Sequence, residues 1–374
     1  LKLYPTMDSI TPHLIRGDYT IACICPMGVE QAAVEAMLDE FHPSLPSTLD
    51  TNNYTLGNMG VHNIVIAGMP EIGNNAAAKV ATQLLNDFRS IRFSLLVGIG
   101  GGVPDLSSDI DIRLGDVVVS KPSQTFGGVV QFDMGKHISQ SRFERTGMLQ
   151  KPPDILLATV QRLEAQHKRI DSDISNILND MIERYPAMRR NKYVYQGAEN
   201  DCLFQTSYQH HGGNDCRNCD PMKIVQREDR ESTIPMIHYG TIGSSNTLIR
   251  DSVKREELKK NFDILCVDME AAGLMNSFPC LVIRGICDYA DSHKNKRWQP
   301  YAAATAAAYA KELIRLVPAL DASSIKNLAT DSIPQREIVI RTGNVGNLLN
   351  GSVSGVMVAG DKFHGDKVFF DAFR

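Results

Sequence analysis

The sequence predicts an α/β fold: a single three-layer domain whose mostly parallel, twisted mixed sheet is flanked by helices, with an irregular insertion and a C-terminal Asn/Gly-rich tail. Three observations lead there. Short apolar runs recur at residues 19–25, 94–99, 263–267 and 280–286, each the length of a buried strand. Helix-period segments lie between several of them, so strands alternate with helices as in a parallel sheet covered on both faces. The length of 374 residues, 43% of them hydrophobic and 22% charged, supports one core of roughly 250–300 residues and leaves material over.

The first strand, residues 19–25, leaves through the turn Pro26-Met27-Gly28, and a helix is expected over residues 29–41, with Ala33, Val34, Met37 and Leu38 on one face. Residues 54–56 and 64–67 read as paired strands around a turn at Gly60, followed by a helix over residues 75–88. The run at 94–99 leads directly into Gly100-Gly101-Gly102, and residues 115–120 form a further strand. Beyond it, residues 154–167 have helical period, whereas residues 196–230 are polar, charge-rich and aperiodic; an insertion over about 170–232 is expected beside the core. Strands return at Ile237, and an Ala-rich helix over residues 301–316 stops at Pro318. The expected organisation is an N-terminal extension (1–17), the α/β domain (18–317) and a linker with tail (318–374).

Composition excludes several function classes. A formal net charge of −4 argues against nucleic acid as partner, which calls for a basic face. No stretch approaches the roughly 18 uninterrupted apolar residues of a membrane span. Of eight cysteines, Cys23, Cys25, Cys266, Cys280 and Cys287 sit inside apolar runs, which suits reduced core thiols and a cytoplasmic location better than a disulfide framework.

Three elements are candidates for chemistry. Glu30 follows the first turn, where it suits either a solvated first-turn glutamate favoured by the helix dipole or a catalytic base. The glycines of Gly98-Ile99-Gly100-Gly101-Gly102 let a ligand approach the backbone or mark only a tight turn; the spacing is neither a dinucleotide fingerprint nor a P-loop. The third element is a pair of carboxylates at the ends of apolar runs: Glu270, placed to accept from sugar hydroxyls, and Asp288, where partial burial favours the protonated acid. Such carboxylates around a small glycine-lined pocket suit hydrolysis of a glycosidic bond, one activating water and another protonating the leaving group.

Five motifs then occur in order: Pro26-Met27-Gly28-Val29-Glu30, Val97-Gly98-Ile99-Gly100-Gly101-Gly102, Leu114-Gly115-Asp116-Val117-Val118-Val119-Ser120, Val267-Asp268-Met269-Glu270-Ala271 and Ile283-Arg284-Gly285-Ile286-Cys287-Asp288. Together they resemble the nucleoside phosphorylase and nucleosidase superfamily over residues 18–316. Within it, residues 239–246 and 291–299 resemble the phosphorylase-like domain at the N-terminus of fungal NOD-like receptor and repeat proteins. The resemblance implies that Glu30 activates water, Asp288 protonates purine N7, Met269 and Glu270 hold the ribose, and Thr247 and Leu248 lie beside the base. It also implies a substrate-lining role for Gly100 and Gly101, a homo-oligomer, and chemistry that needs no cofactor. The departures favour water over phosphate: Ile99 stands where phosphorylases place a hydroxyl, and Glu30 where an arginine would greet phosphate. Phosphorolysis, or a non-catalytic nucleoside sensor, is the alternative.

The basic cluster His293-Lys294-Asn295-Lys296-Arg297 follows Asp288, and Lys294, Lys296 and Arg297 are its candidate phosphate ligands, in favour of ATP over adenosine; a solvated loop is the plainer reading. Trp298 suits a core aromatic better than a base-stacking one. His210, His211, Cys216 and Cys219 contain a single Cys-x2-Cys, which by itself does not carry a zinc site, and no metal is expected. The tail, residues 344–370, alternates apolar with small residues and resembles amyloid-signalling motifs that would couple it to a receptor or a like motif; a linker is the other reading.

Overall fold

The computed structural model describes residues 14–46, 51–139, 142–213, 215–278 and 280–319. The tail and most of the N-terminal extension lie outside them, as do the expectations placed there.

The first strand, β1 (Ile21–Cys25), is buried throughout and runs into α1 (Gly28–Ala36). Sequence periodicity extends that helix to Phe41, but it stops at Ala36. Lys311 Nζ takes the Met37 carbonyl at 2.6 Å and the Asp39 carboxylate at 2.7 Å, a lysine cap on free C-terminal carbonyls. The chain then turns into the two-residue strand β2 (Glu40–Phe41), paired with β3 (Tyr54–Met59). A turn at Gly60, φ +58°, joins β3 to β4 (His62–Gly68), and α2 (Asn74–Asp87) leads to β5 (Phe93–Gly102).

After β5 come β6 (Val117–Ser120), β7 (Val129–Gln131) and the separate hairpin of β8 (Gly135–Ser139) and β9 (Arg142–Arg145). Three helices follow: α3 (Asp154–His167), α4 (Ile174–Arg184) and α5 (Pro186–Arg190). The core resumes with β10 (Ile237–Ser244), α6 (Ser252–Phe262), β11 (Ile264–Asp268) and the short α7 (Ala271–Leu274). It closes with β12 (Cys280–Asp288) and α8 (Gln299–Leu316).

The main sheet runs β2-β3-β4-β1-β5-β12-β6-β10-β11, with β7 on β10. Pairing is parallel at its centre, β4 with β1, β1 with β5 and β5 with β12. The far end of β5 also pairs antiparallel with β11, Gly101 opposite Val267 and Gly102 opposite Cys266. That second pairing closes β5, β12, β6, β10 and β11 into a barrel-like ring. It explains the glycines. They lie inside β5 rather than after it, because strands must approach both of its edges there; a Cβ on Gly100 would sit 3.1 Å from the Val267 carbonyl oxygen.

Helix α8 is buried along nearly its whole length because it packs on β12, β5, α1, α3 and α4. Its alanines permit close approach, and Gly285 on β12 lies so near the Ala302 carbonyl that no Cβ fits between them. The region expected to be an insertion divides in two. Helix α4 carries Ile174, Ile177, Leu178, Met181 and Ile182 at helical spacing, and all five join the main core. Residues 191–236 are irregular, held by the buried side chains of Tyr193, Leu203 and Phe204, by Phe204 and Tyr208 stacked with His293, and by ion pairs. Arg230 grips buried Asp116 at 2.6 and 2.8 Å, and Arg227 reaches Asp201 at 3.0 Å and Asp111 at 3.3 Å. Trp298 is a core aromatic, as expected, and its indole N–H donates to the Asn200 carbonyl at 3.0 Å. No helix among the described residues is long and apolar enough to cross a membrane.

Candidate active site

One charged side chain organises the centre of the barrel-like ring. Arg284 lies on β12, fully buried, and a buried guanidinium demands carboxylate partners. It donates to Asp268 from Nε at 3.0 Å and Nη2 at 2.6 Å, and from Nη2 to Glu270 at 2.9 Å. Its Nη1 lies 3.9 Å from Glu30 Oε1 and has no hydrogen-bond partner. Gly98 on β5 makes the room: a Cβ there would collide with both Arg284 Nη1 and Glu30 Oε1. The glycine run therefore accommodates catalytic candidates as much as it could line a ligand.

Glu30 is not a solvated first-turn residue. It is 1% exposed, and its two oxygens accept from the backbone N–H of Met27 at 2.6 Å and of Ile99 at 2.7 Å. Burial pushes its carboxyl up to about 8; Arg284 and the two N–H groups oppose the rise, and the neighbouring Glu270 adds to it. Glu270 is also raised, by burial first and then by Asp268, against the pull of Arg284. It sits where β11 passes into α7. That turn is fixed by Asn74, whose Oδ1 accepts from Gly273 N–H at 2.9 Å, and by Ser244, whose Oγ accepts from Ala272 N–H at 3.0 Å.

Asp288 is aimed by a bulge. The β12–β5 register runs Arg284 opposite Gly98 to Ile286 opposite Gly100, then skips Cys287 so that Asp288 faces Gly101. A Cβ on Gly101 would lie 3.0 Å from Asp288 Oδ1. Oδ1 accepts from the N–H of Ala290, an alanine held at φ +52°, so the chain tolerates a left-handed residue to orient this carboxylate. Oδ2 accepts from Lys294 Nζ at 2.6 Å. Burial lowers the Lys294 pKa, but Asp288 and Cys287 outweigh it and the net shift is upward.

The other predicted residues are distributed around this centre. Met269 is half-buried on the same turn as Glu270. Thr247 and Leu248 lie exposed on the loop after β10, which is tied to the end of β11 by Ser245 N–H to the Asp268 carbonyl at 3.2 Å. Of the basic cluster, Lys294 is spent on Asp288, Arg297 bonds Asn200, and Lys296 is exposed. Asp288, Lys294, Arg297, Arg217 and Cys216 line one cavity of about 250 Å³. A larger one, about 560 Å³, surrounds the Arg230–Asp116 anchor and contains none of the candidate residues. Sequence reading assigned no role to Arg284, Asp268, Asn74 or Ser244. Only Arg284 left a signal, as the single charge within an otherwise apolar strand.

Comparison with known proteins identifies the family and the fold. The family model of the phosphorylase superfamily matches residues 20–320. A nucleotide-binding leucine-rich repeat (NLR)-like protein of Hyaloscypha variabilis is 44% identical over 316 residues, which cover 83% of this chain but only 31% of that relative's length. Among solved structures, futalosine hydrolase of Helicobacter pylori superposes with a TM-score of 0.50 at 16% identity, covering 79% of this chain and 97% of its own. A 5′-methylthioadenosine/S-adenosylhomocysteine nucleosidase of Neisseria meningitidis in complex with methylthio-immucillin-A gives 0.50 at 17%, over 79% and 98%. A putative nucleosidase of the same kind from Borrelia burgdorferi, bound to adenine, gives 0.51 at 18%, over 80% and 100%. These likenesses carry the fold.

Proposed function

The chain belongs to the phosphorylase superfamily, and from that premise we propose that it is a purine N-glycosidase that hydrolyses adenosine or ATP to release adenine. The observation that carries this reading is the charge balance around Arg284. A phosphorylase must hold a phosphate anion beside the anomeric carbon. Here the buried guanidinium of Arg284 is already taken by Asp268 and Glu270, so a phosphate would have to displace a carboxylate or face it at low dielectric. A water molecule meets no such repulsion. It would bridge the unpartnered Nη1 and Glu30 Oε1, and Glu30 would take its proton as it attacks the anomeric carbon. Glu270 would accept from the ribose hydroxyls, and Asp288 would give a proton to N7 so that adenine leaves neutral.

The phosphate-bearing substrate is supported by the exposed guanidinium groups of Arg297 and Arg217 beside the Asp288 cavity, Lys294 being held by Asp288. The NLR-like relative supports a role as the effector domain of an immune-type receptor. The test is adenine release from adenosine, ATP, methylthioadenosine and inosine, with and without phosphate. Release from ATP, unchanged by phosphate, is the expected result. Ribose 1-phosphate formed from adenosine sinks hydrolysis, and release from adenosine but never from ATP sinks the nucleotide.

The pH dependence follows from Glu30. Its carboxyl is protonated below about pH 8 and acts as a base only when ionised. kcat/KM is therefore expected to rise with pH and level off above about 8, the limb reporting the free enzyme. A flat profile from neutral to alkaline pH removes Glu30 from the base role.

A further inference from the structure

We propose that His210, Cys216 and Cys219 bind one structural zinc ion that pins the irregular segment onto the loop following Asp288. Of the four residues singled out in the sequence, the fold gathers three and leaves His211 outside the cluster. A ring nitrogen of His210 and the thiols of Cys216 and Cys219 lie within 4.8 Å of one another. Tetrahedral zinc, with bonds of about 2.3 Å to sulfur, asks for sulfurs about 3.8 Å apart, which lies inside that limit.

Two further observations point the same way. The Nε2 of His210 lies 2.9 Å from the Asp215 carbonyl oxygen. A carbonyl only accepts, so Nε2 carries the proton and Nδ1 keeps its lone pair, which is how metal-binding histidines are held in their tautomer. The cysteine pair is also sheltered: Cys219 is buried and Cys216 half-buried, and their thiols lie with the His210 ring in one cluster. Cys202 lies outside that cluster, with its thiol on the Glu199 carbonyl at 3.6 Å, but it lines the same cavity as Cys216 and would take the fourth position by turning from that carbonyl, completing the closed set of protein ligands usual in a structural site.

The position gives the ion its task. The backbone N–H of His210 donates to Ser292 Oγ at 3.0 Å, and Cys216 Sγ lies 3.7 Å from the His293 carbonyl oxygen, a thiol contact that is given up when the sulfur loses its proton to take the ion. Both acceptors belong to the loop that carries Lys294. Cys216 and Arg217 also form a wall of the Asp288 cavity, so the ion would staple this irregular segment across one side of that cavity. The inference does not depend on whether the site hydrolyses nucleosides.

The experiment uses the whole chain purified without a histidine tag. Metal analysis is expected to find equimolar zinc, lost in Cys216→Ser and weakened in Cys202→Ser. Replacement by cobalt(II) is expected to give thiolate-to-metal charge-transfer absorption that Cys216→Ser abolishes. The protein also carries its own reporter, because Trp298, its single tryptophan, donates to Asn200 within the segment. Chelation of the wild type is expected to shift its emission to the red and open the segment to protease, and added zinc to reverse both. This arm stands even where a variant fails to fold. Substoichiometric zinc with no cobalt absorption, or a Cys216–Cys219 disulfide in the protein as isolated, overturns the proposal. A Cys202→Ser protein with undiminished zinc affinity overturns the fourth ligand.

Discussion

Arg284→Met is expected to cost about 3–5 kcal/mol of folding stability, the range for removing one partner from a buried ion network. The guanidinium is fully buried and holds Asp268 through two hydrogen bonds and Glu270 through a third. Methionine fills much of the volume, so the loss is electrostatic rather than a cavity. It leaves Glu30, Asp268 and Glu270 without their common counter-charge. The sign of its pH dependence follows from the same groups. Glu30 and Glu270 already sit above the usual carboxylate range, with Arg284 opposing the rise. Without Arg284 they rise further, and a folded-state pKa above the unfolded one contributes stability that is lost as pH increases through it. The deficit relative to wild type is therefore expected to be large at pH 8 and smaller at pH 5.5. Denaturant midpoints at the two pH values measure it. An equal deficit at both would mean that packing, not charge, is what Arg284 supplies. The variant is also expected to lose activity, since the water position between Nη1 and Glu30 disappears with it.

Much of this centre was legible because strand ends in an α/β sheet leave a signature: an apolar run, then a polar residue. Glu270 and Asp288 both follow that pattern, and the sheet places them where it implies. Glu30 was ambiguous for a physical reason. A first-turn glutamate is polar and dipole-favoured whether or not it is buried, and its burial depends on β5, which is distant in sequence. Arg284 was hidden for the opposite reason: a charge within an apolar strand reads as an interruption until its partners Asp268 and Glu270 are brought in from the end of β11, on the other side of β5. Helix α4 carried a visible 3–4 spacing from Ile174 to Ile182, but Ser175, Asn176, Asn179 and Asp180 between those positions drew it into the polar stretch that follows. The bulge at Cys287, which aims Asp288, depends on the β12–β5 register and has no local sequence mark.

Asp288→Asn is expected to lower kcat for adenine release by about 10²–10⁴-fold, the usual contribution of a positioned general acid, while leaving the fold intact. The two effects separate because of how Asp288 is held. Asparagine keeps the shape that fits beside Gly101, and its carbonyl still accepts from Ala290 N–H. What it loses is a carboxylate able to take up a proton and pass it to the leaving base, and with it the ion pair with Lys294. Unlike Arg284, Lys294 retains access to solvent, with 21% of its side chain exposed. Released from its partner, its ammonium can swing into the cavity and be hydrated, so the stability cost is expected to be below about 2 kcal/mol, within the ordinary range for a point substitution. Single-turnover adenine release and thermal unfolding on the same preparations give both numbers. A variant within about tenfold of wild type in rate, too small a loss for a general acid, removes Asp288 from that role. Protonation of the leaving base would then fall to Lys294, the other proton donor on this side of the site, and Lys294→Met would carry the rate loss instead.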